Sequence, residues 1–169
     1  KLNLIADHGQ AGWVSLNCNF PCDVEVSVEL EPNALRCADK SPLPKTVQGY
    51  PDGESWMALG ICGQNYHLDH RELPLASNAG AAIQVHANGR WSCFENGKPV
   101  AEGRVAPARP YRVTIRAVHD RLEIWINGSA LNLDPVGGGP VRTLTGRLAE
   151  PKDNYISIGA CNMDGELPS

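Results

Sequence analysis

The sequence predicts an all-β fold, a sandwich of two antiparallel sheets. Three observations carry that prediction. Apolar and polar residues alternate with period two from end to end, and no eleven-residue stretch shows a helical stripe. Gly and Pro number 17 and 13 in 169 residues, a turn-rich composition. About ten short alternating runs are separated by turn signals, the spacing of a sandwich or barrel. The whole chain, Lys1–Ser169, reads as one domain with no linker and no internal repeat.

Residues 13–18 make the first predicted strand. In 23–31, Val24, Val26, Val28 and Leu30 face one way, and Asp23, Glu25, Ser27, Glu29 and Glu31 face the other. That is a half-buried strand of a sheet open to water on one side. Strands follow at 56–62, 81–87 and 90–95, and Asn88-Gly89 between the last two is a hairpin signal. Asn96-Gly97 leads into 100–105. In 111–118, Val113, Ile115 and Ala117 oppose Arg112, Thr114 and Arg116. In 122–126, Leu122, Ile124 and Ile126 point inward, which puts Trp125 on the outer face. Asn127-Gly128 turns the chain into 130–133, and 155–161 closes the set.

Three stretches break the rhythm: 36–54, 63–80 and 134–154. Loops beyond about 12–15 residues are uncommon unless they carry function. If the strands run antiparallel in series, 63–80 and 134–154 fall at one end of the sandwich. The stretch 36–54 falls at the other.

Charge excludes some partners. The chain holds 15 Lys and Arg against 19 Asp and Glu, a net charge of −4, with no basic block. A nucleic-acid binder would show a basic footprint, so none is expected. No run of about 18 apolar residues exists, so no membrane span is expected.

The six cysteines, at 18, 22, 37, 62, 93 and 161, contain no Cys-x-x-Cys pair. Their even number and scatter read as three disulfides. Trp56-x-Ala-x-Gly-x-Cys62 and Tyr155-x-Ser-x-Gly-x-Cys161 share a pattern, so Cys62–Cys161 is the first pairing expected. Cys18–Cys22 is the second. Asn127-Gly128-Ser129 is an N-glycosylation acceptor pattern. The two signals together predict a secreted or lysosomal, extracellular-type protein. No signal peptide is read at Lys1, so the numbering is expected to start either at a mature end or at the boundary of an excised piece.

Candidate chemistry is sparse. Glu25 and Glu29 are about 13 Å apart along an extended strand, too far for a retaining glycosidase pair at roughly 5–5.5 Å. The acidic face of 23–31 therefore reads as solvated. The densest polar cluster is Asn65, Tyr66, His67, Asp69, His70 and Arg71. His67 and His70 with a carboxylate form only part of a zinc set, so no metal ligand is assigned. The cluster suits a hydroxyl-rich ligand instead. Gln84 and His86 share one face of their strand. Trp125, turned outward, would serve as a platform for the apolar face of a sugar ring. No serine lies in a nucleophile-elbow motif and no catalytic residue is assigned.

Several segments resemble a known family. They are Ala81-Ala-Ile-Gln-Val-His-Ala-Asn-Gly-Arg-Trp91, Glu102-Gly-Arg-Val105, Tyr111-Arg-Val-Thr-Ile-Arg-Ala117 and Leu122-Glu-Ile-Trp-Ile-Asn-Gly128. Together they resemble laminin-G/concanavalin-A-like lectin domains, in particular the C-terminal lectin domains of galactocerebrosidases. The resemblance spans nearly the whole chain. It implies a two-sheet antiparallel jelly-roll sandwich that binds a glycan or glycoconjugate, sometimes with a structural Ca²⁺. It also implies a non-catalytic module, accessory to a larger parent polypeptide. The segment after Asp164 lacks the family's aromatic residue. Two alternatives stand beside this reading. Arg71-Glu-Leu and Gln84-Val-His86 are similar to short signatures of jelly-roll alginate lyases, which would make the chain a polysaccharide lyase on uronate polymers. The third lyase signature, a Tyr-rich strand with Lys, is missing. The other alternative is a protein-interaction ectodomain with no sugar site and a protein partner.

Overall fold

A computed structural model describes residues 11–17, 23–32, 46–47, 50–51, 56–63, 80–96, 98–108, 110–144 and 155–161. Among them there is no helix. The strands are β1 (Ala11–Asn17), β2 (Val24–Leu30), β3 (Thr46–Val47), β4 (Tyr50–Pro51), β5 (Trp56–Gly63), β6 (Ala81–His86) and β7 (Arg90–Glu95). They continue as β8 (Lys98–Arg104), β9 (Tyr111–Val118), β10 (Arg121–Ile126), β11 (Ser129–Ala130), β12 (Val141–Thr143) and β13 (Tyr155–Cys161).

Two antiparallel sheets form the sandwich. One has six strands in the order β1-β13-β5-β6-β7-β8. The other runs β11-β10-β9-β2, with β12 also paired to β10. Strands β3 and β4 pair only with each other. Between the sheets lies one apolar core, to which β9 and β10 contribute Val113, Ile115, Leu122 and Ile124, and β6 and β7 contribute Ile83 and Cys93. Alternation explains the five-stranded sheet residue by residue. Strand β9 is buried at Tyr111, Val113, Ile115 and Ala117, and its other residues are exposed or half-buried.

The acidic face of β2 is ion-paired rather than merely solvated. Register sets Glu29 opposite Arg112 and Glu25 opposite Arg116. The Arg112–Glu29 contact is 3.1 Å. Arg116 reaches both Glu25 and Glu123, at 3.7 and 3.6 Å. These groups are largely exposed, so each pair adds at most about 1 kcal/mol.

The turns follow their chemistry. Asn127 and Gly128 both take positive φ, 52° and 81°, as a type I′ hairpin requires. The β6–β7 hairpin differs. Only Gly89 is positive there, at 86°, and the Asn88 side-chain Oδ1 accepts from the Arg90 amide at 2.9 Å. The loop is thus three residues, with Gly89 at the left-handed position. Gly89 also pairs with the far side of the sheet, since its carbonyl accepts the Val105 amide at 2.9 Å. A Cβ there would lie 2.2 Å from the Val105 oxygen.

The anchor points of the long stretches fit the expected ends. Gly63 and Ala81 lie at the end of the six-stranded sheet where β7 finishes at Glu95. Arg142 of β12 reaches Glu95 at that same end. Leu30 and Trp56, which flank the third stretch, lie at the opposite end. There Leu30 pairs with Tyr111, and the Tyr111 hydroxyl donates to the Ala87 carbonyl at 3.2 Å.

The cysteine expectations need correction. Cys93 is a free thiol, fully buried in the core. Five cysteines remain, so three disulfides cannot form. Strands β5 and β13 run antiparallel, with Cys161 opposite Trp56. Cys62 therefore sits six residues further along, about 20 Å away at 3.3 Å per residue. A disulfide needs Cα atoms within about 7 Å, so Cys62–Cys161 is ruled out. The shared sequence pattern would put both cysteines at one end only in parallel strands. Cys18 and Cys22 lie outside the described residues.

Candidate functional site

The six-stranded sheet is buried on both faces at its centre, and this defines the site. Strand β6 is buried at all six positions. Its odd residues, Ala81, Ile83 and Val85, belong to the core. Its even residues face away from the other sheet, yet Gln84 is 5% and His86 only 1% exposed. Register brings their neighbours alongside: Trp56 lies opposite His86, Ala58 opposite Gln84, and Gln84 opposite Ser92. Trp56, Ala58 and Ala82, with half-buried Phe94 against them, form a second apolar cluster separate from the core. This face thus carries two aromatic residues interleaved with polar ones.

Gln84 and His86 touch directly. Gln84 Nε2 is 3.2 Å from His86 Nε2, so the amide nitrogen donates to an unprotonated ring nitrogen. Burial disfavours the imidazolium, and Arg90 across the hairpin opposes it further, so the His86 pKa is lowered to about 4. At neutral pH the ring is uncharged.

The open margin of the face lies on β7 and β8. Arg90 is half-buried, and Glu102 and Arg104 are exposed. Arg90 sits directly opposite Arg104, and Ser92 opposite Glu102. Trp91, between them, turns into the core and packs over Gly103, where a Cβ would come within 2.6 Å of the indole. That contact fixes the phase of both strands, so Arg90, Ser92, Glu102 and Arg104 share the outer face.

The structure brings together only part of the predicted site. Gln84 and His86 are adjacent, as expected. Trp125 does not join them. It lies on the outer face of the five-stranded sheet, opposite Thr114 and Ala130, and is half-buried there. Asn65, Tyr66, His67, Asp69, His70, Arg71 and Asp164 lie outside the described residues. Among the described residues there is no group of three His, Cys, Asp or Glu side chains placed to hold a metal ion. Asn127 is exposed at its hairpin tip, with its side-chain oxygen accepting the Arg112 amide at 2.8 Å.

Sequence reasoning missed Arg90, Ser92, Phe94, Glu102 and Arg104 as site residues. The available signal was the phase of Trp91 and Cys93. Once those face the core, their even-numbered neighbours must face outward.

Comparison with known proteins gives only distant likenesses. No family model matches the sequence, and no curated protein matches it. Among solved structures, the carbohydrate-binding module CBM66 from Bacillus subtilis aligns over 90% of this chain and 75% of its own, at 12% identity and a TM-score of 0.44. Sheep galectin-11, in complex with glycerol, aligns over 94% and 96%, at 9% identity and a TM-score of 0.39. The exoplasmic/lumenal domain of VIP36, bound to Ca²⁺ and Man3GlcNAc, aligns over 90% and 78%, at 13% identity and a TM-score of 0.40.

Proposed function

We propose that the chain is a non-catalytic, lectin-like carbohydrate-binding module whose site is the outer face of the six-stranded sheet. The observation that carries this reading is the mixture on that face. Half-buried Phe94, backed by the buried Trp56, lies beside Arg90, Glu102 and Arg104, with buried Gln84, His86 and Ser92 beneath them. A pyranose presents apolar C–H patches ringed by hydroxyls, so aromatic surface beside amide, hydroxyl and carboxylate groups is the chemistry that recognises it. The buried Gln84–His86 pair forms a neutral floor, and Phe94, Glu102 and the arginines form the accessible rim. In keeping with the resemblance to galactocerebrosidase lectin domains, the module serves a larger glycosidase in a secreted or lysosomal setting.

The lyase alternative requires His86 to exchange protons with substrate. Its ring is enclosed and held against Gln84, which favours a structural role for it.

A glycan array on the folded protein, with calcium and with chelator, tests the proposal. Binding to a defined set of glycans, weakened at least tenfold in Phe94→Ala and Glu102→Gln, is the expected result. A blank array overturns it, and capture of a protein partner beside a blank array favours the interaction-domain reading.

A further inference from the structure

The outer face holds two arginines whose placement conflicts with ordinary sheet design. Arg90 and Arg104 are a directly opposed cross-strand pair in β7–β8. Like charges in that position repel at close range and destabilise the ladder. Sheets usually answer such a charge with a carboxylate, and this protein does so elsewhere. Arg112 and Arg116 are ion-paired with β2, and Arg142 with Glu95. Among the described residues no carboxylate lies within ion-pair distance of Arg90 or Arg104. The Arg90 Nε is buried with no hydrogen-bond partner among the described residues. A half-buried guanidinium with an unused donor, on a residue set opposite a second arginine, is suited to receive an anion.

The surroundings restrict which anion. Glu102 lies one pair along the same face and is exposed, offering an acceptor to a polyhydroxylated neighbour, with buried Ser92 opposite it. The Gly89–Val105 hydrogen bond clamps the hairpin loop to the end of β8, so the arginine pair is held by backbone. The chain is net negative and the far sheet carries the acidic strand β2, so diffuse attraction of polyanions is absent.

We propose that Arg90 and Arg104 jointly hold the acidic group of an acidic saccharide, a carboxylate or a sulfate. The sugar ring that bears it lies toward Ser92 and Glu102. Guanidinium groups suit this role because their planar donor fork matches two oxygens of either anion. The inference rests on the carbohydrate-binding reading of the same face and specifies its ligand class.

The test is titration calorimetry on the full chain with three probes: a neutral oligosaccharide mixture, oligogalacturonate and a sulfated heparin oligosaccharide. One or both acidic probes should bind at least tenfold tighter than the neutral one, with affinity falling as salt rises. Whichever acidic probe prevails identifies the anion. Arg90→Gln and Arg104→Gln should each lose at least tenfold toward the acidic probe, a larger loss than toward the neutral one. Arg104 is exposed, so its variant guards against a folding defect at Arg90. Arg121→Gln, on the other sheet, should change nothing. Neutral and acidic probes bound equally, or no loss in either arginine variant, would overturn the inference and leave the carbohydrate reading standing. No binding of any probe would overturn both.

Discussion

Arg142 Nε lies 3.0 Å from Glu95 Oε2, a carboxylate whose side chain is only 4% exposed. This ion pair joins β12, on the edge of one sheet, to the last residue of β7 in the other. Removing one partner of a buried ion pair typically costs about 3–5 kcal/mol. Arg142 is itself partly exposed, so Arg142→Met should cost about 2–3 kcal/mol. Adding Glu95→Gln should recover part of that loss. A double-mutant cycle by urea unfolding measures it, and purely additive losses would refute the coupling.

Gly103 is required by the Trp91 indole. A methyl group there overlaps the ring, and overpacking of this kind costs about 1–3 kcal/mol. Gly103→Ala should lower the urea midpoint with an unchanged slope and shift the tryptophan emission. The same change at Gly128, where a Cβ meets nothing within 4 Å, acts only through its positive φ. It should cost about 1 kcal/mol.

His86 makes stability depend on pH. Its folded pKa, about 4, lies below the ordinary value of 6.5 because burial, then Arg90, disfavours the charged ring. Between those values the unfolded chain binds more protons than the folded one. Stability is therefore full above pH 6.5, declines as pH falls toward 4, and loses nothing more from this group below that. The loss should total about 3 kcal/mol. His86→Gln should flatten this segment of the stability–pH curve, and an unchanged slope would contradict the assignment.

Cys93 should be chemically silent. Burial, the dominant effect, pushes its thiol up to about 12. The native protein should leave Cys93 unlabelled by a thiol reagent at pH 8, and it should label on denaturation without reductant. Mapping a disulfide to Cys93 would refute this.

How legible the protein was in its sequence depended on which face was in question. Strands β2, β9 and β10 alternate cleanly, because one side meets the core and the other meets water. Strand β6 was legible as a strand, but its burial on both faces was not, since Gln84 and His86 look like solvent residues. Strand β12 escaped notice because three residues, Val141, Arg142 and Thr143, are too few to show a period. The opposition of Arg90 and Arg104 needed the β7–β8 register, which shifts at the irregularity between Cys93 and Phe94 and which alternation alone does not reveal. Cys62 and Cys161 misled for a related reason: a repeated pattern says nothing about strand direction.

The complete enclosure of β6 has a use beyond packing. Its amides are paired in the middle of a six-stranded ladder, with side chains covered above and below. They exchange with solvent only when the whole sandwich opens, so the slowest deuterium uptake in this chain reports global stability. A ligand bound to the folded state alone slows that uptake by mass action, by about 2.7 kcal/mol at a hundred times its dissociation constant. Deuterium uptake at Ala81–His86 therefore registers a bound saccharide even if the sugar never touches β6.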